Sequence, residues 1–223
     1  MGDAIGQMLP AAVGVAVSPM PIVAVVLMLV SRRGRANGPA FVVGWVLALS
    51  IIGAIVLAAS SGADASDGGE PATWVGVLKL VLGALLLLVG VRQWRGRPHG
   101  DEQPSPPKWM TALDTFTPAK AAGAGALLSG VSPKNGLLAV SAAVAIAGTG
   151  IAAGAQAIAY GLFVLIATVG VGTPVVLYFV LGDRSREVLD RLNAWMTANN
   201  AVIMAVLLLV IGVSVIGKGL GSL

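Results

Sequence analysis

The sequence predicts an all-α integral membrane protein with six transmembrane helices, built as two inverted three-helix repeats. Three observations lead there. Of the 223 residues, 57% are hydrophobic and only 11% charged, with a mean hydropathy of +0.90, which leaves too little polar surface to solvate a water-soluble globule. The apolar residues gather into about six stretches, each near the ~20 residues that a hydrocarbon core of ~30 Å demands of a helix. The connections between these stretches alternate in charge. Gly, Ala and Val dominate while aromatics are 5%, the composition of membrane helices whose small residues let backbones approach closely. A β-barrel would show short alternating segments instead.

The length rule places the spans at 9–30, 40–60, 73–93, 121–147, 155–181 and 199–219. The first is expected to remain in the mature chain, because Asp3 and no Lys or Arg precedes it, unlike a cleavable signal peptide. Lys and Arg accumulate in cytoplasmic loops, so Arg32, Arg33 and Arg35 set the first connection inside. Asp64, Asp67 and Glu70, with no base among them, set the second outside. Arg92, Arg95, Arg97, Lys108 and Lys120 return the central segment to the inside. Arg184, Arg186 and Arg191 do the same for the fifth connection, although Asp183, Glu187 and Asp190 lie among them. The expectation is a multi-pass protein of a bacterial cytoplasmic membrane with both termini outside, Lys218 being the one basic exception. Trp74, Trp94 and Trp195 fall where spans meet water, as indoles prefer.

Three spans before the central loop and three after it would insert an internal repeat with opposite topology, a common plan in secondary transporters. The expected division is 1–97 for the first repeat, 98–120 for a cytoplasmic Pro-rich and amphipathic linker, and 121–223 for the second. A trace of repetition survives in the motifs: Val17-Ser18-Pro19-Met20-Pro21 in the first span and Val131-Ser132-Pro133-Lys134-Asn135 in the fourth. Proline lacks the N–H that would bond the carbonyl four residues earlier. Pro19 is thus expected to free Val15, Pro21 to free Val17 and Pro133 to free Ser129. Unpaired carbonyls are costly in hydrocarbon, so broken helices point to a polar cavity that satisfies them. The competing account is that Ser18 and Ser132 bond back to their own helices.

Charge within the spans narrows the site. All ten acidic residues fall in loops or at the N-terminus, while Lys134 and Lys79 fall within spans. An ionised residue at the bilayer centre costs roughly 2.5–3.5 kcal/mol on insertion scales. Lys134 lies near mid-depth beside Pro133; its charge must be lost, be held by freed carbonyls and water, or be met by an anion. Lys79 is shallower and can snorkel to water. The expected substrate-binding residues are Ser18, Pro19, Pro21, Ser132, Pro133, Lys134 and Asn135, with Lys79 as an outlying cation. Gly172, Thr173 and Pro174 mark a second interruption and a candidate hinge in the fifth span. Gln156, Tyr160, Asn199 and Asn200 read as helix-end polar groups, and Trp109, Met110, Leu113 and Phe116 as a short interfacial amphipathic helix.

Several classes are set aside. With no Cys and only His99, in a polar loop, neither thiol chemistry nor transition-metal handling within the membrane has ligands. No phosphate-binding Gly-rich loop followed by Lys and Ser or Thr occurs, and no nucleophile–base pair lies in the spans. The expectation is a protein that is not an enzyme, with no metal, no cofactor and no nucleic-acid partner. Proton coupling through intramembrane carboxylates or His has no residues to use.

The whole-length layout, with Ser18-Pro19-Met20-Pro21 and Gly130-Val131-Ser132-Pro133-Lys134-Asn135, resembles the LysE-type exporter superfamily. Within it, the chain is similar to the branch of glycopeptidolipid or sulfolipid addressing proteins of mycobacteria and relatives. Amino-acid exporters of that superfamily tend to have Pro-Gly-Pro where this chain has Pro19-Met20-Pro21. The resemblance implies a LysE-like fold and a role in moving an envelope lipid or glycolipid across the cytoplasmic membrane toward the cell surface, and an intramembrane cation without acids agrees with an anionic head group. It implies membrane lipids and the glycolipid as ligands, with a large lipid exporter as partner; a second copy of the chain is a further expected partner. Two alternatives stay open: export of a small solute such as an amino acid or cation, and a non-transporting assembly partner of a lipid exporter.

Overall fold

The computed structural model describes residues 1–63, 73–95 and 116–221, and among these there is no strand. Helix α1 spans Gly2–Ala16 and α2 Pro19–Val30, followed by α3, Gly34–Ala63, and α4, Thr73–Arg95. Helix α5, Pro118–Ala126, runs into a π-helical turn at Leu127–Val131 before α6, Pro133–Ala147. Helix α7, Ala153–Leu181, joins α8, Ser185–Leu220, through a single 3-10 turn at Gly182–Arg184. The acidic connection with Asp64, Asp67 and Glu70, the loop holding His99, and the expected amphipathic segment from Trp109 to Leu113 lie outside the described residues. So do the side chains of Trp74, Asp183, Arg186 and Asn200.

Helices α3, α4, α7 and α8 are each long and apolar enough to cross a membrane. The pairs α1–α2 and α5–α6 meet the same test only jointly, bent by 48° and 63° at their breaks. The chain is therefore a multi-pass membrane protein with four to six candidate spans. Burial is distributed accordingly. Helices α2 and α6 are buried along most of their length, whereas Leu88, Leu165, Val180 and Val213 point outward from the long helices. An apolar exterior of this extent suits lipid and not water. Each half of the chain thus runs in the same order, a bent pair followed by two long helices.

The boundaries depart from the hydropathy estimate in instructive places. Helix α1 begins at Gly2, ahead of the expected start at 9, and α8 begins at Ser185 and not near 199. The charges between Asp183 and Arg191 read as a loop, yet Glu187 and Arg191 pair one turn apart and Leu189 is buried, so the segment is helix. With 36 residues, α8 is roughly 54 Å long. The interruption expected at Gly172, Thr173 and Pro174 is absent: α7 runs unbroken with Pro174 inside it. Thr173 Oγ1 donates to the Val169 carbonyl of the same helix at 2.7 Å.

The most extensive helix pairing joins α4 to α8, and glycines set its spacing. A Cβ at Gly83 would lie 3.0 Å from the Gly212 carbonyl oxygen, and one at Gly212 would lie 3.2 Å from that of Gly83. Backbone contact replaces side-chain interdigitation along this seam. Gly83→Leu should force α4 from α8 and cost about 1–3 kcal/mol, read as a lower thermal unfolding midpoint in detergent. Leu88→Ala, at a position 66% exposed, should leave that midpoint unchanged.

Candidate functional site

The two breaks meet. Ser18 caps the start of α2 with extended backbone geometry, and Ser132 occupies the equivalent place before α6. Pro19 and Pro133 are the first residues of their helices, where a missing N–H costs nothing because first-turn N–H groups have no intrahelical partner. Pro21, also in the first turn, frees no carbonyl for the same reason. The release expected at Val15 is met locally, as its carbonyl accepts from the Ser18 N–H at 3.2 Å. Near α6 the break is also redistributed: the Ser132 N–H donates to the Leu127 carbonyl at 2.9 Å, closing the π-helical turn.

A chain of side-chain bonds links the breaks. Lys134 Nζ donates to Ser18 Oγ at 2.6 Å. Ser18 Oγ donates to Asn135 Oδ1 at 2.8 Å, and Asn135 Nδ2 donates to the Leu128 carbonyl at 2.8 Å. The alternative Ser18 contact, to the Gly14 carbonyl of its own helix, is long at 3.4 Å, so the hydroxyl serves the junction between halves. Lys134, Asn135 and Ser18 are all buried. Of the predicted residues, the structure brings these three together, with Pro19, Ser132 and Pro133 shaping the breaks.

Beside Lys134 opens a cavity of about 490 Å³, lined by Val89, Arg92 and Gln93 of α4 and by Ser132, Pro133 and Lys134. None of these residues is acidic. Arg92 and Gln93 were legible in the sequence only as topology markers and loop-end polarity. Their spacing from Val89, one helical turn, places all three on one face of α4, but the identity of the partner helix carries no local signal. An ammonium offers three N–H donors, of which Ser18 takes one. The cavity also sits at the start of α6, whose first-turn N–H groups and helix dipole favour negative charge. Among the described residues no three of His, Cys, Asp or Glu gather to hold a metal ion.

Other predicted residues sit elsewhere. Lys79 is buried in a separate pocket far along α4, and Gly172, Thr173 and Pro174 belong to the continuous α7. Gln156 bonds locally to the Ile151 carbonyl. Tyr160 is no helix-end group: its hydroxyl crosses to the Leu49 carbonyl of α3 at 3.0 Å.

The model of the family described as Sap, sulfolipid-1-addressing protein, matches residues 8–221, nearly the whole chain including both breaks. The chain belongs to the sulfolipid-1-addressing protein family. No curated protein and no solved structure matches it. Membership links this multi-pass membrane protein to lipid transport, and the matched region contains the polar junction.

Asn135→Ala should remove both the acceptor of Ser18 and the donor to the Leu128 carbonyl, destabilising the fold by about 1–3 kcal/mol. Thermal unfolding in detergent measures this, with Thr173→Ala as a control that shifts little, since Thr173 bonds only within its own helix.

Proposed function

We propose that the chain translocates an envelope lipid or glycolipid with an anionic head group, held between Lys134 and Arg92, across the cytoplasmic membrane. The observation that carries this reading is a buried lysine at the meeting of two broken helices, opening on a cavity that also presents Arg92 and no acid. A cation is expensive to keep at such a site and persists where it has a use. Membership of a lipid-addressing family supports a lipid as the cargo. The common order of bent pair and long helices in the two halves supports an inverted repeat of the LysE type, with the substrate at the repeat interface. The arginines near the α2–α3 turn, at the end of α4 and before α8 support a cytoplasmic placement of that end, and hence both termini outside. In this reading the chain is not an enzyme and uses no cofactor, and a large lipid exporter or a second copy works beside it. Coupling comes from outside the chain or from the lipid gradient, because the spans offer no carboxylate relay.

The test compares lipids of the inner membrane and outer envelope, by mass spectrometry, in cells lacking the protein and cells complemented with wild type, Lys134→Met or Lys134→Arg. One anionic glycolipid should be retained inside without the protein. Wild type should restore its export, and Lys134→Met should reduce it at least tenfold while raising the thermal unfolding midpoint, as expected when a charge kept for function is removed from a buried site. An unchanged lipid distribution in all strains would falsify the lipid reading and leave small-solute export in its place.

A further inference from the structure

The 63° bend at Pro133 sends the two members of the α5–α6 pair to different neighbours. Helix α6 stays beside α4, where Leu82 packs against Val144. Helix α5 lies along α3 instead: Gly125 sits against the Phe41 carbonyl, Gly44 against that of Ala122, and Ser129 Oγ donates to the Trp45 carbonyl at 3.3 Å. Pairing α4 with α8 and α5 with α3 leaves α4 and α5 with marginal contact at most. A wedge therefore opens between them from Pro133 toward the end of the bundle that carries Arg92 and Arg95. The cavity that holds Val89, Arg92, Gln93 and Lys134 lies at its apex.

The two walls of the wedge share one profile. On α4, Gly83 and Gly90 face α8. The opposite face carries Val81, Leu85, Leu88, Arg92 and Arg95, spaced four and three residues apart and all exposed. On α5 and its π-helical turn, the face opposite the α3 contact carries Lys120, Leu127 and Val131, also exposed. Each wall passes from apolar residues near the break to cations toward the helix end, and neither contains an acid. An amphiphile lying in one leaflet has the matching profile, with acyl chains toward the midplane and an anionic head near the surface, where basic residues attract it. A soluble anion gains nothing from the apolar part of such walls. Size leads to the same occupant: a cavity of about 490 Å³ falls in the ~300–1,000 Å³ class that holds a drug-sized molecule. It has room for a head group and not for acyl chains as well, so the chains lie outside it.

We propose that the wedge between α4 and α5 is a lateral portal for an anionic amphiphile of the leaflet on the arginine-bearing side. The head group passes Arg95 and Lys120 and enters the cavity at Arg92 and Lys134, while the acyl chains stay in the bilayer against Leu85, Leu88, Leu127 and Val131. The protein thus reads the charge of the head and not the number or length of the chains. That the bound lipid goes on to cross the membrane rests on the translocation reading above; its entry into the wedge does not.

The chain contains no Cys, so a single one can carry a probe. Val131→Cys, and Val180→Cys on α7 as a control at 74% exposure, are labelled with bimane in the full chain and placed in phosphatidylcholine vesicles. The label is then quenched by adding phosphatidic acid or phosphatidylcholine brominated on its acyl chains. At Val131 the brominated phosphatidic acid should reach half-maximal quenching at a mole fraction at least threefold below that of brominated phosphatidylcholine; at Val180 the two should match. Lys134→Met should remove the preference. Arg92→Gln, at an exposed position, should weaken it severalfold even if Lys134→Met does not fold. Equal quenching at Val131 by both lipids means ordinary boundary lipid. Quenching by neither means that protein, such as a second copy, covers the wedge, and a preference that survives both substitutions means attraction to the surface alone; each of these overturns the portal. The lipid export assay separates the portal from translocation: Val131→Trp should lower export severalfold and Val180→Trp should not. Wild-type export that Val131→Trp leaves intact overturns the portal and spares the translocation reading. No export by the wild type, with the preference at Val131 present, overturns the translocation reading and spares the portal.

Discussion

In hydrocarbon every backbone N–H and C=O needs a partner inside the protein, and that constraint organises the centre of this molecule. Here two breaks are placed side by side: each meets its backbone groups within its own half, the Val15 carbonyl from the Ser18 N–H and the Leu128 carbonyl from Asn135 Nδ2, and the side-chain bonds from Lys134 through Ser18 to Asn135 join the two. The same arrangement leaves a cation and the first turn of α6 beside a cavity, so the device that satisfies the backbone also makes the polar site.

The surrounding helices play a different part. The α4–α8 seam, with Gly83 against Gly212, lets two long helices approach closely, and α4 contributes residues both to the Lys134 cavity and to the pocket at Lys79. Both polar regions lie against α4 and α6, and Leu82 of α4 packs against Val144 of α6.

Much of the plan is readable from local chemistry. The Ser-Pro pairs at 18–19 and 132–133 announce helix starts because proline is accepted in the first turn and rejected later, and the structure places both breaks there. Pro174 shows the limit of that reasoning: the same residue type sits inside an unbroken helix. Hydropathy likewise finds the hydrocarbon-facing length of a helix and not its end. It therefore stops short of Gly2 in α1 and misses the charged first turns of α8, where Glu187 and Arg191 are good helix partners.

The sequence by itself determined the solvent of this protein, the approximate number of apolar stretches, the places where two of them break, and the presence of a buried-depth lysine without a nearby acid. Each of these depends on composition or on residues within one helical turn. Only the tertiary structure decided that Ser18 meets Lys134 across 116 positions, that Arg92 shares a cavity with it, and that Lys79 and Lys218 line one pocket. Those pairings depend on which helices lie side by side, and small-residue packing among uniformly apolar helices leaves no sequence pattern that names the neighbour.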